Sequence, residues 1–117
     1  APVFMYQLAY PNPTRVPGTD FAIGSPHAAD INLNFANTDK NLDSILNSDQ
    51  SPGRLATARQ MSGLWAGFAR TGRPTAPGVP RWPAYTTADR ATMWLDAACR
   101  IVRDPDQKER LYWENRA

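Results

Sequence analysis

The residue in this sequence best suited to proton transfer is His27, the only histidine, which lies in the segment GSPHAADINLNF at residues 24–35. The unperturbed pKa of a histidine is about 6.5, so this residue type can accept and release a proton near neutral pH. A lone histidine is nevertheless more often a surface or helix-capping residue than a catalytic one. The pattern by itself leaves both interpretations open, with Asp30 as the nearest acidic neighbour.

The single cysteine, Cys99, offers less chemistry. With no second cysteine it cannot form a disulfide within the chain, and one cysteine with one histidine cannot assemble a zinc site. It falls at the tip of a predicted hairpin, and no histidine lies near it in the sequence to activate the thiol. Cys99 is therefore expected to be a packing residue and not a nucleophile.

The composition is that of one globular domain. Of the 117 residues, 42% are hydrophobic and 21% are charged, which supplies enough apolar side chains for one core. The net charge of +2 is spread thinly, without a run of like charges that could follow a phosphate backbone. No apolar run approaches the roughly 20 residues of a membrane-spanning helix. We therefore expect a soluble protein that binds neither nucleic acid nor membrane.

A strand and a helix are predicted on either side of His27. Residues 3–10, VFMYQLAY, are apolar on both alternating faces, which predicts a strand covered on both sides. After a proline-rich loop over 10–20, Ser25 and Pro26 suit the N-cap and first position of a short helix. His27 would then lie at a loop-to-helix junction after a strand, and catalytic groups are commonly mounted on such loops.

The remaining elements are predicted from apolar spacing and from proline and glycine. They are a short helix or two turns over 38–47, a helix over 54–71 with Ser51 and Pro52 as its cap and first turn, an irregular connector over 73–85, a hairpin with strands 92–96 and 100–103, and a last helix over 106–115. The long helix should bury the stripe Leu55, Ala58, Met61, Trp65 and Phe68, and the last helix should dock through Leu111, Tyr112 and Trp113. No second long strand is evident to pair with residues 3–10, so the chain is expected to be part of a larger sheet.

Five segments carry a resemblance to a known family when they are taken in order. They are PVFMYQLAY, GSPHAADINLNF, ARQMSGLWAGFARTGRP, RWPAY and CRIVRDP. Their order and register resemble the C-terminal portion of the type B carboxylesterases, the family of cholinesterases and bacterial para-nitrobenzyl esterases. The resemblance implies that residues 1–117 are the C-terminal part of a single α/β-hydrolase domain. That part would contain one core strand, a small hairpin and several helices, and would be incomplete as a sheet by itself.

The resemblance also implies a chemistry for His27. This residue matches the catalytic histidine of a serine, acid and histidine triad, whose nucleophile and acid precede the histidine in the chain. Asp30 matches a frequently acidic position, for which we expect a structural or electrostatic role. The partners implied are the upstream portion of the same enzyme, which would hold the nucleophile, the acid and the oxyanion hole, and a small-molecule carboxylic ester as substrate. No metal or organic cofactor is implied.

One departure from the family pattern bears directly on activity. A serine nucleophile of this fold needs Gly-x-Ser-x-Gly, and the nearest approach, QMSGL, has Gln60 and Leu64 in place of both glycines. Ser62 is therefore expected to be structural, and this chain alone is expected to be inactive.

Two alternatives stay open at this stage. Some members of the superfamily keep the fold without catalysis, so the chain could belong to an adhesion or protein-interaction homologue. A free-standing interaction module is disfavoured by the unpaired two-faced strand. The excess of arginine over lysine and the abundance of alanine indicate a GC-rich coding sequence. A bacterial origin is expected. The compartment, cytoplasmic or secreted, stays open.

Overall fold

The computed structural model describes residues 1–41 and 44–116. Its elements, in chain order, are β1 (Met5–Leu8), α1 (Ala29–Asn34), a short 3-10 helix (Ile45–Asn47), α2 (Pro52–Thr71), β2 (Ala91–Leu95), β3 (Arg100–Arg103) and α3 (Gln107–Glu114). None of the described helices combines the length and the hydrophobicity needed to span a lipid bilayer.

The three strands form one sheet in the order β1-β2-β3. β2 and β3 are the predicted antiparallel hairpin, whereas β1 lies parallel to β2, with Met5 opposite Thr92. The expectation that no strand of this chain pairs with β1 is therefore wrong. The partner is the first strand of the hairpin, and a parallel partner requires a long crossover, here the segment that contains α1 and α2.

β1 is covered on one face of the sheet. Phe4, Tyr6 and Leu8 pack against the core, whereas Val3 and Met5 remain 57% and 42% exposed. Cover on both faces was predicted, and within the described residues it is found on one face only. The outer face of β1 is therefore open to a further layer of structure.

α2 begins and ends where local signals predict. The Ser51 hydroxyl accepts a hydrogen bond from the Arg54 backbone N–H at 3.3 Å, Pro52 occupies the first turn, and Gly72 ends the helix with φ at 70°. The buried face is nevertheless rotated from the predicted stripe. It comprises Arg54, Thr57, Ala58, Met61, Leu64 and Gly67, whereas Phe68 is 50% exposed.

The connector over 73–85 explains part of this rotation. A Cβ atom at Gly67 would lie 2.3 Å from the backbone oxygen of Thr75, so the connector can pass over α2 only where the helix has no side chain. The connector then places Trp82 in the core, edge-on to Phe4 at 6.1 Å between ring centroids. The Tyr85 N–H donates to the Val3 carbonyl at 2.7 Å, which ties the end of the connector to the start of β1.

One core forms between α2 and the sheet. Its buried members are Leu33, Ala58, Met61, Leu64, Trp82, Met93, Leu95 and Cys99. α1 contributes through Leu33 and packs on α2. Where a short helix or two turns were predicted over 38–47, the described residues form a 3-10 helix at Ile45–Asn47, and Leu42, which belonged to the predicted apolar face, lies outside the described residues.

α3 forms close to its predicted range but does not dock as expected. Leu111, Tyr112 and Trp113 are 42%, 50% and 69% exposed. Charged contacts hold the helix instead, because Arg110 donates to Asp104, just after β3, at 2.6 Å, and Arg90, just before β2, lies 3.7 Å from Glu114. Its apolar side chains therefore face solvent within this chain.

Candidate active site

His27 lies on a loop that leaves the carboxyl end of β1 and returns to it. The Ile23 N–H donates to the Thr14 carbonyl at 2.7 Å, and the Gly24 N–H donates to the Asn12 carbonyl at 3.0 Å. These two hydrogen bonds close the segment over 12–24 into a small hairpin-like turn. The turn returns the chain to the end of β1, so His27 lies beside that end.

The turn that carries His27 differs from the predicted helix start. α1 begins at Ala29, and its N-cap residue, Ala28, has a left-handed backbone with φ at 65° and makes no side-chain cap. Ser25, the predicted cap, instead donates its hydroxyl to the Tyr10 carbonyl. Left-handed backbone is unfavourable for a residue with a Cβ, so the surrounding contacts must hold this turn. His27 itself is exposed.

Asp30 is held by the strand that precedes the loop. The Tyr6 hydroxyl donates to Asp30 Oδ2 at 3.1 Å. Burial, followed by this hydrogen bond, raises the pKa of Tyr6, so its hydroxyl remains protonated and acts as the donor. The structural or electrostatic role expected for Asp30 is therefore matched by a specific contact within the first turn of α1.

A buried polar cluster, defined as Tyr10, Asn47, Asp49, Ser51 and Arg54, anchors the end of β1 to the start of α2. The Tyr10 hydroxyl donates to Asp49 Oδ2 and lies 3.0 Å from the Ser51 hydroxyl. The Ser51 N–H also donates to Asp49 Oδ1 at 2.9 Å. Because the Tyr10 carbonyl accepts from Ser25, the cluster and the His27 loop share one residue.

Arg54 is the unexpected member of this cluster. It is only 2% exposed, and its Nη2 donates to Asn47 Oδ1, which also accepts from Asn32 on α1 at 3.2 Å. An arginine is seldom buried unless it is paired, so its burial indicates a preformed polar site around it. Sequence reasoning missed this cluster, because Arg54 lies one residue beside the predicted apolar stripe and its partners come from other elements.

We expect the fold to lose stability in acid through Asp49. Burial disfavours its charged form, but the hydrogen bonds from Tyr10 and Ser51 and the nearby Arg54 charge outweigh burial, and the pKa of Asp49 is lowered. A group with a lowered folded-state pKa stabilises the fold above its unfolded pKa, and this contribution is lost as the pH falls through the folded value. Urea unfolding between about pH 6 and about pH 2 should show this loss.

The matched variants for this measurement are Asp49→Asn and Tyr10→Phe. Asp49→Asn should be less stable than the parent at neutral pH and should flatten the acid part of the profile. Tyr10→Phe removes a hydrogen bond that lowers the pKa of Asp49, so this pKa should move toward its value in the unfolded chain. The free energy of unfolding should then fall over a narrower pH range than in the parent. An acid profile of Asp49→Asn that parallels the parent's would contradict this role.

The other candidate nucleophiles lie on elements other than the His27 loop. Cys99 is buried at the turn between β2 and β3, where burial raises the pKa of its thiol and Sγ donates to the Asp96 carbonyl at 3.5 Å. Ser62 is a residue of α2. Among residues 1–41 and 44–116, no group of three histidine, cysteine or acidic side chains is placed to hold a metal ion. Of these candidates, His27 is thus the exposed group suited to proton transfer. It lies on a turn that is held by the hydrogen bonds of Ser25 and Asp30.

Matches to known proteins cover nearly the whole chain. The model of the Carboxylesterase family matches residues 1–113. The chain is 28% identical to carboxylesterase 5A of Felis catus over 98% of its own length, and 29% identical to the para-nitrobenzyl esterase of Bacillus subtilis over 94%. In both cases it spans about a fifth (21%) of the relative's length.

Solved structures agree with the sequence matches. A para-nitrobenzyl esterase superposes with a TM-score of 0.78 at 28% identity, covering 94% of this chain and 21% of that one. A carboxylesterase of Geobacillus stearothermophilus gives a TM-score of 0.72 at 32% identity, covering 97% of this chain and 22% of that one. The sheet and helices described above are thus a segment of the α/β-hydrolase fold. On these matches, the chain belongs to the carboxylesterase family.

Proposed function

We propose that this chain supplies the histidine of a serine, acid and histidine triad to a carboxylic ester hydrolase. The observation that carries the proposal is the position of His27, exposed on a braced turn at the carboxyl end of β1, in a chain matched almost from end to end by the carboxylesterase family. An exposed imidazole at that edge can meet a nucleophile contributed by another segment.

The proposed reaction uses His27 twice. In acylation, the imidazole takes the proton of the serine hydroxyl as the serine oxygen attacks the ester carbonyl, and then gives that proton to the departing alcohol. In deacylation, the same imidazole takes a proton from water as the water oxygen attacks the acyl-enzyme, and returns it to the serine oxygen. The acid from elsewhere in the domain orients the imidazole and stabilises its protonated form.

The proposed partner is the upstream portion of the same enzyme, which would contribute the nucleophile, the acid and the oxyanion donors. Three surfaces of this chain suit such a partner. The outer face of β1 exposes Val3 and Met5, α3 exposes Trp113, and an apolar groove of about 400 Å³ runs beside Trp65 and Phe68. Exposed apolar surface of this extent is typical of an interaction site.

The proposed substrate class is small, uncharged carboxylic esters. Ala28 and Ala29 follow His27 directly, so little side-chain bulk stands beside the imidazole. The competing proposal is a non-catalytic homologue that keeps the fold for adhesion or protein interaction. Because the 117 residues contain no Gly-x-Ser-x-Gly, the segment that would carry the nucleophile distinguishes the two proposals.

The test is a chimera in which this chain replaces the segment of the Bacillus subtilis para-nitrobenzyl esterase that it matches. Because the chain holds no nucleophile motif, the chain alone should hydrolyse a nitrophenyl ester no faster than background. The chimera, which contains the relative's remaining segments, should turn over the ester and be blocked by a serine-directed inhibitor. Inhibitor-sensitive turnover by the chain alone, or a folded chimera without turnover, would overturn the proposal.

A further inference from the structure

We propose that Tyr6 is a positioning residue for His27, acting through its hydrogen bond to Asp30. This inference rests on the proposed function of His27 and extends it to a residue on the strand before the loop. The Tyr6 hydroxyl donates to Asp30 Oδ2 at 3.1 Å, and Asp30 lies in the first turn of the helix that follows His27. The contact therefore joins the sheet to the segment that aims the imidazole.

The turn is fastened on both sides of His27. Before it, the Ser25 hydroxyl donates to the Tyr10 carbonyl, and after it, Asp30 accepts from Tyr6. The partners in these two bonds, Tyr6 and Tyr10, lie in β1 or just after its end. These two bonds hold the backbone on either side of His27, and they are the side-chain hydrogen bonds of the described residues next to it.

α1 cannot hold the turn by itself. It has six residues, its N-cap residue Ala28 makes no side-chain cap, and Ala28 has a left-handed backbone. A helix this short is marginal in water, so tertiary contacts must supply its stability. The hydrogen bond from Tyr6 to Asp30 is such a contact, and it acts at the end of α1 nearest to His27.

Tyr6 is a rigid support for this contact. Its ring packs edge-on against Trp65 at 5.0 Å and against Trp82 at 6.4 Å between centroids. Its backbone pairs with Met93 in the sheet. The aromatic packing holds the ring against α2 and the connector, and the sheet holds the backbone of Tyr6. The hydroxyl is therefore presented to Asp30 from a position that does not depend on the loop.

The direct test is Tyr6→Phe in the para-nitrobenzyl esterase chimera, because phenylalanine keeps the aromatic packing and loses only the hydroxyl. A misplacement of about 1 Å in a catalytic group can cost on the order of a hundredfold in rate. We expect kcat to fall between about tenfold and about a hundredfold. KM should change little, because the role proposed for Tyr6 is to hold the turn and not to bind the ester. The matched control is Tyr112→Phe on α3, half-exposed in this structure, which should leave kcat unchanged.

Asp30 variants separate positioning from general stability. Asp30→Asn keeps an oxygen that can accept from the Tyr6 hydroxyl, so it should retain most of kcat, whereas Asp30→Ala should lose as much as Tyr6→Phe. The double variant Tyr6→Phe with Asp30→Ala should be no slower than either single variant, because both remove the same bond. Fully multiplicative losses in the double variant would overturn the pairing.

A second measurement uses this chain without any nucleophile. In amide hydrogen exchange, Tyr6→Phe should lower the protection of the Ala29 and Ile31 N–H groups, which donate to Pro26 and Ala28, relative to amides within α2. Unchanged protection in this turn, or normal kcat in Tyr6→Phe while His27→Ala is inactive, would reject the positioning role alone. Normal kcat in His27→Ala would instead reject the proposed function.

Discussion

His27→Ala in the para-nitrobenzyl esterase chimera is expected to lower turnover about 10⁴-fold or more. Without the imidazole, the serine hydroxyl keeps its proton during attack and the leaving alcohol receives none, so both proton transfers of acylation are lost. The residual rate would come from ester binding and the oxyanion donors. Turnover number measured with a nitrophenyl ester, beside the thermal midpoint of each variant, gives the result.

Stability should distinguish catalysis from capping. His27 is exposed, and the N-cap position of α1 belongs to Ala28 and not to His27. Truncation of His27 should therefore cost less than the roughly 1 kcal/mol typical of a lost cap. Near-normal turnover in a folded His27→Ala chimera would mean that His27 is a surface residue without a catalytic role.

Two further variants test whether the loss of turnover is specific to proton transfer by His27. His27→Gln keeps a polar side chain that cannot shuttle a proton, so it should be as inactive as His27→Ala. Ser62→Ala removes a hydroxyl that lies within α2 and should leave turnover unchanged.

Leu64→Ala is expected to destabilise this chain by about 2–5 kcal/mol, the range for truncating a buried leucine. Leu64 is fully buried on α2 and belongs to the core cluster with Met61, Trp82 and Met93. The loss combines the transfer of the removed carbon atoms with the cavity left behind. For a domain of this size, each kcal/mol corresponds to roughly 4–8 °C in the melting temperature.

Leu111→Ala on α3 is the matched control for Leu64→Ala. Leu111 is 42% exposed, so the same truncation should cost well under half as much as at Leu64. Urea unfolding of the two variants and the parent would supply the comparison. Equal losses at both positions would mean that α3 is buried as deeply as α2 in solution, contrary to the arrangement in this structure.

Local signals in the sequence determined the elements that depend on near neighbours. Ser51, Pro52 and Gly72 set the ends of α2, since a cap, a first-turn proline and a left-handed stop act within one turn of the helix. The hairpin of β2 and β3 was likewise predicted close to its observed bounds. The junction that carries His27 followed from the same kind of signal, because a strand, a proline-rich loop and a helical segment occur in succession.

Only the tertiary structure decided which of these elements meet. β1 pairs with β2 across a crossover of many residues, and no signal near either strand in the sequence identifies its partner. Arg54 displaced the predicted apolar stripe because its guanidinium donates to the buried Asn47 Oδ1, and Gly67 turned inward because the connector crosses there. Apolar spacing predicts that a face is buried, but not what that face encounters.

The contacts around His27 show the same division. The sequence alone placed His27 after a strand, set Asp30 three residues further on, and through five ordered segments indicated the family. It did not reveal that Tyr6 reaches Asp30 or that Ser25 binds the end of β1 instead of capping α1. Helix, turn and strand signals are properties of neighbouring residues, whereas the aim of a side chain depends on contacts between residues far apart in the chain, which exist only once the chain has folded.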